Sequence, residues 1–559
     1  MSLKAVPITN FPGFSDKKRF PGAHYYSQGF SPSEFGAALL YSILKRKDSS
    51  DISGLGAIKY FAKAGLYNYA QDDNGKIYKE ATPGVYDFAL ARTSGVSSNG
   101  AGMIGDQKGR LLYAGNNDLG MYDGTTWTDS WKSGLNLWQH PMDTYEDSVY
   151  VANKTSLGLL ASDDSWNPSA FTLPSTFTLD AVKSGVNGIL MGANFLYQGA
   201  LILWNTITDR STTPWKYLKG QILAIERYGA NWIVLTQREI WLTDGYYYRR
   251  LFGLLDDQFS FNGYETGTIS PQRILVVNDT LILLNTTRSS VMSYEFGRMK
   301  PGVYMIDIPT GYWNFIPVST LNTISVDLYA AFADNSSDQR ILVGYRDNQL
   351  SKSYIGTLSS SGSSVAQFVS GELGEGSTQK IAEAVVLNLD LNSGVIDPAT
   401  LTFNVSVKIY NFKRQLWGRQ LTNATAGAAN QIRVDGTSTS YYKAQVGDEV
   451  TVLEGANAGQ IRHISSIANP GASNETWTLN SALSNVTGSF INLNVQPFKL
   501  VEKKAFSSLT EFKTMYFDVK NKIKGKKYLV KVVIDGVSNL QLELKESLFV
   551  YNDLGYDSI

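Results

Sequence analysis

The sequence predicts an all-β chain built around a β-propeller of about seven blades. Two observations carry that expectation. Between Gly65 and Leu350 one unit recurs, an apolar strand followed by a tight polar turn and an aromatic: Gly65-Leu-Tyr-Asn-Tyr69, Gly120-Met-Tyr-Asp-Gly124 before Trp127, Glu239-Ile-Trp-Leu-Thr-Asp-Gly245 before Tyr246, and Gly302-Val-Tyr-Met-Ile-Asp307 before Tyr312 and Trp313. Weaker copies stand at Gly158-Leu-Leu-Ala161, Ala200-Leu-Ile-Leu-Trp204 and Ser353-Tyr-Ile-Gly356. Steps of about 40 to 60 residues are the period of a propeller blade with lengthened loops. The strands between these copies are apolar on successive residues, as in Arg110-Leu-Leu-Tyr-Ala114, Trp232-Ile-Val-Leu235, Leu281-Ile-Leu-Leu284 and Ile341-Leu-Val-Gly344. Such runs fit strands covered on both faces, blade packed against blade. Asp-Gly at 123–124 and 244–245 reads as the turn of a two-residue hairpin.

The elements are expected in this order. Residues 1–56 form an irregular N-terminal arm laid against a neighbour, or a lead-in to the first blade, with Asn10-Phe-Pro-Gly13 echoed at Arg19-Phe-Pro-Gly22. Ser31-Pro-Ser-Glu34 before an apolar run reads as a helix start. The propeller occupies 57–362 and ends in the Ser/Gly linker 359–364. Beyond it the pattern changes to alternating strands, at 384–391, 401–410, 515–519, 528–534 and 540–544, which suit a β-sandwich with one wet face. The sandwich is split into 363–413 and 500–559 by an inserted module at 414–499, rich in Ala, Asn, Gly, Ser and Thr. Within the insert, Val446-Gly-Asp-Glu-Val-Thr-Val-Leu-Glu-Gly455 and Gly459-Gln-Ile-Arg-His463 resemble the core of a small SH3-like barrel.

Composition narrows the function. Lys+Arg and Asp+Glu balance at 50 each, so no global field draws the chain to nucleic acid or an acidic membrane. There is no cysteine, and the three histidines, His24, His140 and His463, are far apart, which excludes disulfides and makes a His-rich metal centre an unlikely design. The Met1-Ser-Leu-Lys-Ala start has no apolar core, so no secretory signal is expected, and the apolar stretch at 35–44 is too short to span a bilayer. No phosphate-binding glycine loop, nucleophile elbow or H-E-x-x-H is present. Asp72-Asp-Asn-Gly75 reads as a turn rather than a calcium loop, because no acidic ligand follows at the required place. The lysines between 520 and 527 read as a solvated hairpin at a sheet edge.

The order of parts resembles that of the bacteriophage virion proteins that build the tail nozzle. The resemblance rests on Met1-Ser-Leu-Lys4 leading into Asn10-Phe-Pro-Gly13, on the blade motifs, and on Val369-Ser-Gly-Glu-Leu-Gly374 followed by Lys380-Ile-Ala-Glu-Ala-Val-Val-Leu387. It implies a non-enzymatic, ring-forming subunit below the portal or adaptor, with a hexamer favoured. Such a ring lines the channel through which genomic DNA passes without sequence recognition. Its implied partners are further copies of the chain, the adaptor, and tail fibre or tail ring proteins. Its place is the virion tail, after synthesis in the bacterial cytoplasm. No catalytic residue, cofactor or metal is implied. Protomer contacts are expected in two long loops, 256–268 with Phe259, Phe261 and Tyr264, and 288–301 with Met292, Tyr294, Phe296 and Met299, the latter unusually apolar for a surface excursion. Two alternatives share the fold. One is a propeller glycosidase or depolymerase using Asp256, Asp257 or Glu265, and the other is a glycan-binding receptor module.

Overall fold

The inner strands of seven small antiparallel sheets lie side by side and close into a ring in the computed structural model of the chain. The structure describes 2–7, 24–28, 30–34, 37–40, 44–46, 54–93, 102–253 apart from 116, 197, 208–212 and 238, then 271–285, 302–309, 313–316, 326–334, 341–347 and 352–358. Beyond these it describes 365–370, 373, 378–391, 403–411, 419–426, 430–434, 444–452, 461–483, 490–496, 498–506, 513–520, 522–535 and 542–554. Among the described residues the only helical element is one 3-10 turn, Pro271–Arg273.

The inner strands are Ile58–Ala64, Met103–Gly105, Met142–Tyr145, Thr178–Gly185, Ile222–Tyr228, Ile274–Val277 and Val326–Ala333, and the last lies back against the first. We number the blades 1 to 7 in that order. The expected all-β architecture of propeller, sandwich and inserted barrel is therefore present. Burial explains the unalternating sequence runs: every residue of Leu111–Ala114 is buried, as are Gly188 to Asn194 in the second strand of blade 4. Blade packs on blade through clusters such as Leu190, Leu201 and Leu203 of blade 4 against Ile222, Ile225 and Trp232 of blade 5. Trp232 is fully buried and donates its indole N–H to the Ser184 carbonyl at 3.1 Å. Burying a side chain of that size contributes about 4 to 6 kcal/mol of transfer free energy. It also requires Gly185, because a Cβ there would collide with the indole ring.

Six of the seven motif copies occupy the third strand of their blades, from Asp118–Tyr122 to Lys352–Leu358. The exception is Gly65-Leu-Tyr-Asn-Tyr69. Gly65 makes the turn between the first two strands of blade 1 with φ +58°, and Tyr67–Asp72 is the second strand. The third strand there is Lys76–Glu80. The Asp-Gly turns also differ from expectation. Tyr122 pairs with Trp127 and Thr243 with Tyr248, so each hairpin loop holds four residues rather than two. Asp123 accepts the amides of Thr125 and Thr126, and Asp244 those of Tyr246 and Tyr247, and these side-chain bonds shape the longer loops. Tyr246 and Tyr247 consequently sit in the turn, outside the outer strand.

The N-terminal segment departs most from expectation. Phe30–Glu34 is a strand and not a helix start; it pairs with Ala37–Leu40, and tertiary pairing overrides the local capping signature. Leu44–Arg46 pairs with Gly356 to Leu358 and supplies the fourth strand of blade 7. Ser2–Pro7 pairs with Leu548 to Asp553 at the far end of the chain, and Ala38 and Leu39 pair with Leu544 and Glu543. His24–Gln28 pairs with Val365–Ser370 of the sandwich and, through Gln28 and Phe315, with the outer strand of blade 6. Blade 6 and one sandwich sheet thus form a continuous nine-stranded sheet.

The two sandwich sheets face each other across Val385, Leu387, Leu389, Phe403, Val405, Val407, Ile409, Phe517, Val530, Val532, Ile534 and Phe549. The alternation in Lys380–Leu391 slips where Ala384 and Val385 are both buried, beside a β-bulge between Ala382 and Ala384. The insert is a closed six-stranded barrel, with strands in the spatial order Arg419–Ala426, Gln431–Val434, Glu475–Leu479, Ile461–Ala468, Glu449–Val452 and Phe490–Gln496. Trp477 is fully buried in it and donates to Glu475 at 2.7 Å.

Candidate assembly surface and interior polar sites

Antiparallel order places the connections between blades, and the turns between second and third strands, on one face of the propeller. We call this the connector face. The strands ending at Gly253 and starting at Ile274, and those ending at Asn285 and starting at Gly302, all open there, on blades 5 and 6. The residues expected to make protomer contacts, Phe259, Phe261, Tyr264, Met292, Tyr294, Phe296 and Met299, lie outside the described residues, as do Asp256, Asp257 and Glu265.

Blade 4 carries aromatics towards the same face. Phe177 lies 5.6 Å from Phe195 and 5.5 Å from Trp215, and Trp215 lies 6.4 Å from Tyr217. Leu196, at the hairpin tip with φ +49°, is 68% exposed. The turn is held by Gln221, whose side-chain amide donates to the Leu196 carbonyl at 2.6 Å.

Near the ring axis the chain places a polar cluster. Asp180, on the inner strand of blade 4, accepts Trp138 Nε1 at 2.8 Å, Gln139 Nε2 at 3.1 Å, Thr178 Oγ1 at 2.9 Å and Asn194 Nδ2 at 2.8 Å. Tyr60, on the inner strand of blade 1, is buried, and its hydroxyl pKa is pushed up by burial first and by the Asp180 charge second. Tyr60 stands opposite Gln71 in register, and Gln71 accepts the Gly102 amide at 3.0 Å.

Ring closure between blades 7 and 1 is also polar. Asp334, buried after the inner strand of blade 7, accepts Lys63 Nζ at 2.7 Å, Asn68 Nδ2 at 3.1 Å and Tyr86 Oη at 3.0 Å. Burial alone raises a carboxyl pKa, but these three donors hold Asp334 below its ordinary value. Glu80 completes the group by accepting Asn68 Nδ2 at 3.0 Å and the Tyr86 amide at 2.6 Å.

A second buried charge cluster joins the barrel to the sandwich. Lys408 and Lys531 are register partners on adjacent sandwich strands and point away from the sandwich core. Both donate to Glu449 of the barrel, one to each carboxylate oxygen, and all three side chains are buried. Against the effect of its burial, Lys408 and Lys531 hold Glu449 far below the usual carboxylate range. His463, the register partner of Glu449, lies beside them with Nδ1 3.2 Å from the Gly447 carbonyl. Burial, then the Lys408 charge, lowers its pKa to about 4. Sequence reading singled out the segments holding Glu449 and His463 but not their role. It passed over Lys408 and Lys531, because an alternating strand assigns such lysines to the wet face. Among the described residues no three His, Cys, Asp or Glu side chains converge to hold a metal.

No protein-family model matches the chain, and no curated protein does. Among solved structures it is similar to the Pan2 WD40 domain of Neurospora crassa, at 9% identity and TM-score 0.35, over 54% of this chain and 89% of that one. It is also similar to YCF48 bound to D1 peptide, at 8% identity and TM-score 0.35, over 58% and 95% of the two chains. For the N-terminal domain of Nup159 the identity is 10% and the TM-score 0.32, over 60% and 100%. At these scores the fold rests on the strand topology of the chain itself.

Proposed function

We propose that the chain is a non-enzymatic structural subunit of a bacteriophage virion, acting in a homo-oligomeric ring of the tail nozzle. The observation that carries this reading is the continuity of the parts. A propeller, a sandwich and an inserted barrel follow one another in the order of nozzle proteins, and the first 46 residues stitch propeller and sandwich together by backbone pairing. A continuous sheet from blade 6 into the sandwich suits a part that transmits load between neighbours. The connector face of blades 5 and 6, from which 254–270 and 286–301 depart, is the proposed protomer contact. The adaptor and tail fibre or tail ring proteins are the proposed further partners.

Mass measurement and electron microscopy of the purified protein, and of its parent particle, test the reading. A ring, six-fold by expectation, supports it. A strict monomer at high concentration that is absent from any particle ends it. Deleting 288–301 is expected to leave a folded monomer that no longer assembles, which analytical ultracentrifugation and circular dichroism together can read.

A further inference from the structure

The barrel's attachment to the sandwich has the geometry of a hinged module with a charged clasp. The chain leaves the sandwich after Tyr410 and returns before Lys499, and Ile409 pairs with Lys499, so both tethers start side by side. Everything else that holds the module in place must come from the surface between the two bodies. In that surface stand two register pairs of titratable groups, Lys408 with Lys531 on the sandwich and Glu449 with His463 on the barrel. All four are buried, and Nε2 of His463 has no protein hydrogen-bond partner.

We propose that this seam is an acid-released latch: a proton taken up by His463 adds a cation beside Lys408 and Lys531, where both already converge on Glu449, and frees the barrel from the sandwich. The groups facing His463 are Glu449 on the neighbouring barrel strand, Lys408 and Lys531 from the sandwich, and the Gly447 carbonyl. Asp448 is near in sequence, but its carboxylate accepts the Gln445 amide at 2.9 Å within its own turn. At neutral pH the imidazole in the clasp is neutral. Opening the seam lets water reach the imidazole and restores its ordinary basicity, so a proton favours the open form. The sign follows: a histidine whose docked pKa is about 4, against an ordinary 6.5, stabilises docking above pH 6.5 and loses that contribution as pH falls from 6.5 towards 4.

Carbodiimide coupling to the Glu449 carboxylate in the full-length protein, read by peptide mass spectrometry and corrected for the intrinsic pH dependence of the reagent, tests the latch, because undocking exposes that buried group while the barrel's own pairing stays intact. Coupling is expected to rise about tenfold per pH unit below 6.5, roughly a hundredfold in all by pH 4.5. Glu80, buried in blade 1, serves as the internal reference and should hold. His463→Gln should remove the acid response at Glu449. An unchanged response in that variant, or a flat wild-type profile, overturns the proposal. If His463→Gln does not fold, the wild-type His463 ring titration, followed by NMR, decides. A midpoint well below 6.5 with the barrel docked supports the latch, and a midpoint near 6.5 sinks it.

Discussion

Glu449 is the residue on which most depends, because it binds two buried ammonium groups from another module. Removing one partner of a buried ionic cluster leaves the others uncompensated, at a cost of about 3 to 5 kcal/mol. Glu449→Ala is therefore expected to loosen the barrel, seen as a lower urea midpoint and faster proteolytic cutting near 414 and 499. A midpoint within experimental error of wild type refutes the assignment. Gly185 matters for a different reason, since the Trp232 indole occupies the space a Cβ needs. Gly185→Ala is expected to destabilise the propeller by about 1 to 3 kcal/mol through overpacking, measurable by thermal unfolding. The exposed Lys4–Asp553 pair, at 3.1 Å, is by contrast a surface contact on one tether strand, and its loss should cost under about 1 kcal/mol.

At the level of strands, blade 7 depends on three residues from the opposite end of the sequence. Lys45→Pro places a ring and a missing N–H where Lys45 pairs with Thr357. A loss on the order of 1 kcal/mol, the worth of one ladder hydrogen bond, is expected, seen as a lower melting temperature. No shift would show that blade 7 holds its shape with three strands. The motifs at 120–124 and 239–245 were legible in the sequence because each opens a local hairpin whose Asp side chain, Asp123 or Asp244, caps its own turn. Blade 1 misled because Gly65 makes a turn of similar composition one strand earlier. The N-terminal strands were not legible, since their partners lie hundreds of residues away and nothing in 30–40 signals a sheet edge at 543–544. Lys408 and Lys531 were hidden for a related reason. Period two says which face a residue takes, but not that another module will cover that face.

For the molecule as a whole, His140 and His463 are buried and kept neutral. Burial lowers His140 to about 4, as it does His463, from an ordinary value of 6.5. Each contributes stability that is fully present above pH 6.5 and is lost between 6.5 and about 4, worth about 3 kcal/mol apiece. Unfolding free energy should fall over that window, and His140→Gln should flatten the propeller's share while leaving the barrel's response. An identical pH profile in that variant would refute the buried neutral imidazole. The pairing of Ser2 with Asp553 has a consequence for how the protein is made. Ser2–Pro7 leaves the ribosome hundreds of residues ahead of its partner strand. At about 5 to 20 residues per second, the first strand waits on the order of half a minute or longer with its edge unpaired. Closure of this sandwich sheet therefore waits for the late strand, whereas blade 7 can take up Leu44–Arg46 once Leu358 has emerged. A nascent chain stalled before 542 is expected to expose sticky β-edges and to need protection from its neighbours on the same message.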